Sequence, residues 1–112
     1  MNTNKHPTEL VIDLLSRSIC NVQVAAVIAD NNGIFSWGHN SMGPDGLGEH
    51  AEVHALGRAN PKRLRYATMY VAARRKRNGR QVQAKPCELC QKLVWRVRDV
   101  VYRDPKRGWI RL

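Results

Sequence analysis

The chain has 112 residues, 43% of them hydrophobic, which suits one folded domain over residues 1–112 and excludes both a disordered chain and a second domain of ordinary size. No apolar run approaches the roughly 18 residues of a membrane helix and the polar start lacks a signal-peptide core, so we expect a cytoplasmic protein without a membrane partner. The net charge of +10 is unevenly placed: residues 1–57 carry −4 and residues 58–112 carry +14, which predicts a phosphate-bearing or polyanionic partner.

The first half of the chain predicts a helix, a hairpin and a loop. Apolar residues at helical spacing predict an amphipathic helix over residues 8–19 that covers a sheet. Residues 22–29 lack the alternation of a half-exposed strand, so they are predicted to form a central strand buried on both faces. The turn sequence at residues 30–33 predicts a hairpin into a second strand at residues 34–37. Residues 38–48 hold four glycines and one proline, which predicts a loop.

The second half predicts two further helices separated by a strand. A helix is expected over residues 49–59, and Asn60-Pro61 ends it. Residues 68–73 are predicted to be the third strand. The next helix begins after Pro86, and its predicted buried stripe comprises Leu89, Leu93, Val94 and Val97.

The last two strands are predicted at residues 99–103 and 108–112. Only residues 104–107 separate them, which is too short for a crossover helix, so the two strands are expected to form an antiparallel hairpin. Together the elements predict an α/β fold, a three-layer α/β/α sandwich around a mixed sheet of about five strands.

Two short segments supply one imidazole, two thiols and one carboxylate, a set of donors suited to zinc. His50 and Glu52 belong to the segment His50-Ala51-Glu52, and both cysteines belong to Pro86-Cys87-Glu88-Leu89-Cys90. If a helix opens just after Pro86, Cys87 and Cys90 lie on one face and both sulfurs can reach one ion. The positive end of such a helix also favours the thiolate form that binds zinc.

Zinc held by three protein ligands keeps a fourth position for water, whose pKa can fall to about 7. Glu52 is then free to handle protons beside the metal, and the segments predict a catalytic centre. The alternative is a closed structural site, because His50 and His54 are spaced four residues apart and could bind one ion together with Cys87 and Cys90.

The two segments resemble the His-x-Glu and Pro-Cys-x-x-Cys pattern of the zinc-dependent cytidine deaminase superfamily. The resemblance implies a cytidine deaminase-like fold, zinc as the cofactor, and hydrolytic deamination as the activity. It implies that His50, Cys87 and Cys90 are the zinc ligands and that Glu52 is the general acid and base.

The resemblance also implies a substrate pocket at the end of the second strand. Asn40 is similar to the strand-end asparagine that many members use to hold the substrate sugar. The other residues expected to contact the substrate are Trp37, His39 and Ala51.

The match in element order extends over roughly residues 8–112, with detailed similarity confined to residues 37–58 and 84–92. The predicted terminal hairpin is similar to that of free cytidine deaminases and several bacterial deaminase toxins. His50 departs from the cysteine usual in free cytidine deaminases, and the Gly-His-Asn strand end is similar to members that act on tRNA adenosine, deoxycytidylate or polynucleotides. The substrate class therefore stays open between these groups.

A basic cluster follows the third strand. Because the chain must reach Cys87 within a few residues, this cluster is predicted to lie at the mouth of the pocket and to bind phosphate groups. Its members are Arg74, Arg75, Lys76, Arg77 and Arg80.

We therefore expect an enzyme that converts cytosine to uracil in single-stranded nucleic acid or in a nucleotide, because the positive charge exceeds what a neutral nucleoside requires. The alternatives are a deaminase of free cytidine or deoxycytidine, or of another aminated base; a non-catalytic zinc-stabilised nucleic-acid-binding module; and a catalytically silent partner subunit. Free cytidine deaminases of similar length complete their pockets with a neighbouring subunit, so a homo-oligomer is also among the expected assemblies.

Overall fold

The computed structural model describes residues 5–42 and 48–112, and within these ranges it contains a five-stranded sheet with helices on both faces. The predicted loop at residues 38–48 is described only in part, because residues 43–47 lie outside the described residues. The elements in chain order are α1 (Pro7–Leu14), β1 (Val22–Asp30), β2 (Gly33–His39), α2 (Ala51–Arg58), α3 (Pro61–Leu64), β3 (Thr68–Arg75), α4 (Glu88–Val94), β4 (Asp99–Asp104) and β5 (Gly108–Arg111).

The sheet is mixed, with the strand order β2-β1-β3-β4-β5. Strand β1 pairs antiparallel with both β2 and β3, whereas β3 pairs parallel with β4. Parallel neighbours need a crossover connection, and the chain makes it through α4. Strands β4 and β5 pair antiparallel across residues 104–108, so the predicted mixed sheet and terminal hairpin are both confirmed.

Two apolar clusters lie on opposite faces of the sheet and give the fold its three layers. Successive residues of a strand point to opposite faces, so Ala25 and Val27 pack beneath α1 while Ala26 and Ile28 pack beneath α2 and its neighbours. Strand β1 is therefore buried on both faces, as predicted. The cluster beneath α1 comprises Leu10, Val11, Leu14, Leu15, Ala25, Val27 and Ala72.

The helices on the second face are short, and none in residues 5–42 or 48–112 has the length and apolar character needed to cross a lipid bilayer. Helix α2 ends at Arg58, just before the predicted stop at Asn60-Pro61, and these two residues also open a new turn, α3. The Asn60 side chain accepts a hydrogen bond from the Lys62 backbone N–H at 3.0 Å, which caps that turn.

Helix α4 buries a different face from the one predicted. Cys90 and Val94, four residues apart, are buried, and so is Val97 just beyond the helix. Leu89 and Leu93 lie on the adjacent face and are 63% and 37% exposed, so the predicted stripe was wrong for these two residues. A helix of two turns offers one narrow buried stripe, and Cys90 occupies it.

Helix α2 lies unusually close to β2 because Gly38 has no side chain. A Cβ atom at this position would lie 2.7 Å from the backbone N of Ala55, 2.9 Å from Cβ of His54 and 3.0 Å from the carbonyl O of Ala51. The Ser36 hydroxyl donates a hydrogen bond of 2.6 Å to the Ala55 carbonyl and fixes the same contact. This close approach sets where the first turn of α2 lies.

We expect Gly38→Ala to push α2 away from β2 and to lower the free energy of unfolding by about 1–3 kcal/mol, the usual cost of overpacking. Urea denaturation measures this loss. The matched control is Gly57→Ala, because a Cβ at Gly57, inside α2, meets no atom within 4 Å and should be neutral or slightly stabilising. Equal stability of the two variants would contradict the close-packing account.

Candidate metal centre

The structure brings together one nitrogen and two sulfur atoms that can bind a metal. His50 Nδ1 lies 3.1 Å from Sγ of Cys90 and 3.7 Å from Sγ of Cys87. Within the described residues these three side chains form a cluster in which the ligand atoms all lie within 4.8 Å of one another. The predicted juxtaposition of His50 with Cys87 and Cys90 is thus present in the fold.

Two helix starts provide the three ligand atoms. His50 is the residue that immediately precedes α2, and Cys87 has the same position before α4. Cys90 is the third residue of α4, one turn beyond Cys87, so both sulfurs point to the same side of that helix. Because α2 and α4 are in contact, the two starts meet at one point.

The donor set fits zinc. Around a tetrahedral zinc ion with ordinary Zn–N and Zn–S bond lengths, neighbouring ligand atoms are about 3.5–3.8 Å apart. The two nitrogen–sulfur distances of 3.1 and 3.7 Å are close to that spacing, so small side-chain shifts would suffice. One imidazole and two thiolates would therefore hold the ion and keep one coordination position open.

Glu52 lies in the first turn of α2 with only 5% of its surface exposed. Burial raises the pKa of its carboxyl above the usual range, although its own backbone N–H, His50 and the Cys90 thiol partly offset the effect. Burial, followed by the charge of Glu52, also raises the pKa of the Cys90 thiol. For Cys90 these effects outweigh the predicted preference for thiolate, so metal binding would expel a proton from this thiol.

His54 is directed away from the three ligands. Its Nδ1 lies 3.1 Å from the carbonyl O and 3.2 Å from the backbone N of His39, and the two imidazole rings pack edge to face with their centroids 5.3 Å apart. In the part of the chain that the structure describes, His54 does not join the ligand cluster. The geometry therefore favours the open, three-ligand centre over the closed structural site.

A cavity of about 230 Å³ is lined by His50, Cys87 and Glu52. Two of the residues expected to contact the substrate, Asn40 and Ala51, line it. The other two do not: Trp37 packs toward the cluster beneath α1 and beside Arg58, and His39 packs on His54. The lining residues are Val22, Val24, Asn40, His50, Ala51, Glu52, Ala73, Gln83, Ala84, Lys85 and Cys87.

Several of these lining residues were missed by the sequence analysis. Val22, Val24 and Ala73 come from neighbouring strands, and their sequence gives no sign that they meet at the pocket. Lys85 could have been found, because it lies two residues before Cys87 and so had to be close to the metal. It adds a cation to the wall of the cavity.

The predicted basic cluster divides between the two faces of the sheet. Arg75, Lys76 and Arg77 line a second cavity of about 620 Å³, which shares Val22 with the first. Arg74 instead pairs with Gln23 on the face that carries α1, and its Nε donates to Oε1 of Gln23 at 2.8 Å. Arg80 lies across the turn, where its carbonyl accepts from the Arg75 N–H, and it lines neither cavity.

The sequence matches a known family almost from end to end. A family profile described as "Cytidine and deoxycytidylate deaminase zinc-binding region" matches residues 1–103. The match includes both metal-binding segments. No curated protein sequence matches this chain.

Solved structures share the fold at low sequence identity. A cytidine deaminase from Burkholderia pseudomallei is 17% identical with a TM-score of 0.70, and the match covers 95% of this chain and 88% of that one. The enzyme from Mycobacterium leprae is 20% identical with a TM-score of 0.61, covering 92% and 87%. The enzyme from Mycobacterium tuberculosis is 14% identical with a TM-score of 0.59, covering 93% and 89%. These likenesses confirm the predicted fold.

We expect His50→Ala, Cys87→Ser and Cys90→Ser each to bind zinc far below one equivalent per chain, because each removes one of three ligands. His54→Ala should retain about one equivalent, since that ring faces His39. Elemental analysis of the dialysed proteins measures the ratio. Loss of zinc from His54→Ala, at unchanged content in the cysteine variants, would contradict the three-ligand centre.

Proposed function

The chain belongs to the cytidine and deoxycytidylate deaminase family, and on this premise we propose that it deaminates cytosine in a nucleotide or in single-stranded nucleic acid. Membership makes it a hydrolytic, zinc-dependent deaminase. Residues 1–112 act as one domain, which the match over residues 1–103 supports. The observation that carries the choice of substrate is the basic cavity that adjoins the metal centre.

In this proposal His50, Cys87 and Cys90 hold the zinc ion, which when bound lowers the pKa of a coordinated water to about 7 and so supplies a nucleophile at neutral pH. Glu52 takes up the proton that the attacking water loses as its oxygen bonds to C4 of cytosine. The carboxyl passes this proton to the ring nitrogen N3. It then transfers a second proton from the added hydroxyl to the amine, the C–N bond breaks, and ammonia leaves uracil behind.

The burial of Glu52 suits this role. Only 5% of the Glu52 surface is exposed, so its carboxyl is shielded from bulk water. The proton that the carboxyl takes up therefore stays beside the cytosine ring. Asn40 and Ala51 line the same cavity, where in this proposal they hold the substrate against the Glu52 carboxyl. Trp37 and His39 pack against Arg58 and His54 and do not line this cavity.

The basic cavity lies beside the metal cavity, and in this proposal a phosphate-bearing substrate would occupy both. Val22, 42% exposed, borders both the metal cavity and the basic cavity. In the described residues none of Arg75, Lys76 and Arg77 has a carboxylate within 4.0 Å, so their charges are available to phosphate groups. A base placed beside Glu52 would therefore have its sugar-phosphate backbone directed toward three cations.

Free cytidine is the second candidate, and one feature favours it. The β4–β5 hairpin is the feature by which the sequence resembles free cytidine deaminases, and the solved structures similar to this chain are cytidine deaminases. A neutral nucleoside would occupy the metal cavity alone and would not use the basic one. The two candidates therefore differ in how the rate depends on salt.

We expect Glu52→Gln to lower kcat on any accepted cytosine substrate by about 10²–10⁴-fold, since an amide cannot take up the proton. Ammonia release measures the rate, and elemental analysis should show that zinc is retained. Glu49→Gln, which removes an exposed carboxylate three residues away, is the matched control and should keep its activity. Turnover by Glu52→Gln at the wild-type rate would refute the assigned role.

If single-stranded nucleic acid is the substrate, the affinity of the inert Glu52→Gln protein for a labelled oligo-deoxycytidine should fall steeply with salt. Arg77→Gln should reduce the log–log slope by about 0.7, the contribution of one phosphate contact on a single strand. Arg65→Gln is the matched control, because it precedes β3 while Arg77 follows it, and eight strand residues span about 26 Å. A slope near zero would favour free cytidine.

A further inference from the structure

Asn40, at the end of β2, makes three side-chain hydrogen bonds within the protein. Its Oδ1 accepts from the Val24 backbone N–H at 2.9 Å and from the Ser18 hydroxyl at 2.6 Å. Its Nδ2 donates to the Val22 carbonyl at 2.8 Å. The amide is therefore clamped against the start of β1, although the residue also lines the metal cavity.

The backbone partners of Asn40 determine which atom of its side-chain amide is the oxygen and which is the nitrogen. A backbone N–H can only donate and a carbonyl can only accept, so Oδ1 must face Val24 and Nδ2 must face Val22. The Ser18 hydroxyl accepts from the Cys20 N–H at 3.2 Å and uses its own proton on Oδ1. Both lone pairs of Oδ1 are thus used, and among the described residues one Nδ2 hydrogen is left for a ligand.

Ser18 is itself held in place. It is 2% exposed, and its carbonyl accepts from Nε2 of Gln23 at 2.7 Å. Gln23 is also buried and accepts from Nε of Arg74, so the chain of hydrogen bonds runs from Arg74 through Gln23 and Ser18 to Asn40. Arg74, which lies on the opposite face from the metal, supports this chain.

We propose that Ser18 is a positioning residue: its hydroxyl helps to hold the backbone-oriented amide in place and occupies the second lone pair of Oδ1, so that Asn40 presents only an N–H and the pocket selects a substrate atom able to accept. A free sugar hydroxyl can either donate or accept, whereas an oxygen esterified to phosphate or carrying a methyl group can only accept. A donor Asn40 binds both kinds of oxygen. The inference rests on the proposed function and deepens it, because it lets the pocket take a cytosine whose sugar is linked to a further nucleotide.

The test compares kcat/KM for cytidine 5′-monophosphate with that for its 2′- and 3′-deoxy and 2′- and 3′-O-methyl analogues. At the oxygen that Asn40 contacts, removal of the oxygen should lower kcat/KM about tenfold, the value of one hydrogen bond, while methylation should leave it within about threefold. If methylation at that oxygen costs as much as removal, the donor assignment is overturned.

The positioning role of Ser18 is tested with Ser18→Ala and, as the variant that keeps the hydroxyl, Ser18→Thr. Ser18→Ala removes one of the three bonds that hold the Asn40 side chain and leaves a lone pair of Oδ1 unpartnered, so the amide should lose its fixed position. The variant should therefore lower kcat/KM on cytidine 5′-monophosphate about tenfold but should match wild type on the deoxy analogue, which does not use the contact. Ser18→Thr should restore the discrimination, and urea denaturation confirms that each variant is folded. An equal loss by Ser18→Ala on both substrates would show a merely structural residue and overturn the proposal.

The same assays separate the two proposals. A wild-type protein that releases no ammonia from any of these nucleotides or from oligo-deoxycytidine would overturn the proposed function, and the inference with it. An active wild type in which Ser18→Ala loses activity equally on both substrates would overturn the inference alone.

Discussion

Helices α2 and α4 begin at the same end of the strands. Because their first residues meet there, one imidazole and two sulfurs lie within reach of a single ion. Two contacts make it possible. Gly38 lets the first turn of α2 approach β2, which places His50 and Glu52, and the buried position of Cys90 in α4 brings its sulfur to the same point. Burial of Glu52 beside the candidate ligands follows from the same packing, so one arrangement of helices positions the carboxyl and the three ligand atoms together.

The features that depend on local spacing could be predicted from the sequence. The interval between Cys87 and Cys90 fixes both on one helical face, and the four residues between the last two predicted strands allow only a hairpin. Features that depend on tertiary pairing could not. Strand β3 continues to Arg75, two residues beyond the predicted end, because it pairs with the start of β1, and the alternation of the strand then sends Arg74 to the far face.

The net charge of the chain does not show where the basic residues lie relative to the metal centre, but the fold does. Of the five basic residues predicted to bind phosphate, three border the cavity next to the metal centre, and Lys85 adds a fourth cation in the metal cavity itself. Within the described residues the Asn40 side chain offers one N–H and no free acceptor, so the proposed contact with a substrate would not require a free hydroxyl. The basic residues around the two cavities and the single N–H of Asn40 are therefore both compatible with the proposed nucleotide substrate, whose sugar oxygens carry phosphate.

The central claim is an open zinc centre with three protein ligands, and the ligand shell of the bound ion tests it most directly. X-ray absorption at the zinc edge of the purified protein should show two sulfur atoms at about 2.3 Å and two nitrogen or oxygen atoms at about 2.0–2.1 Å, with the scattering of one imidazole. A second imidazole or a third sulfur in the shell would close the site and contradict the account.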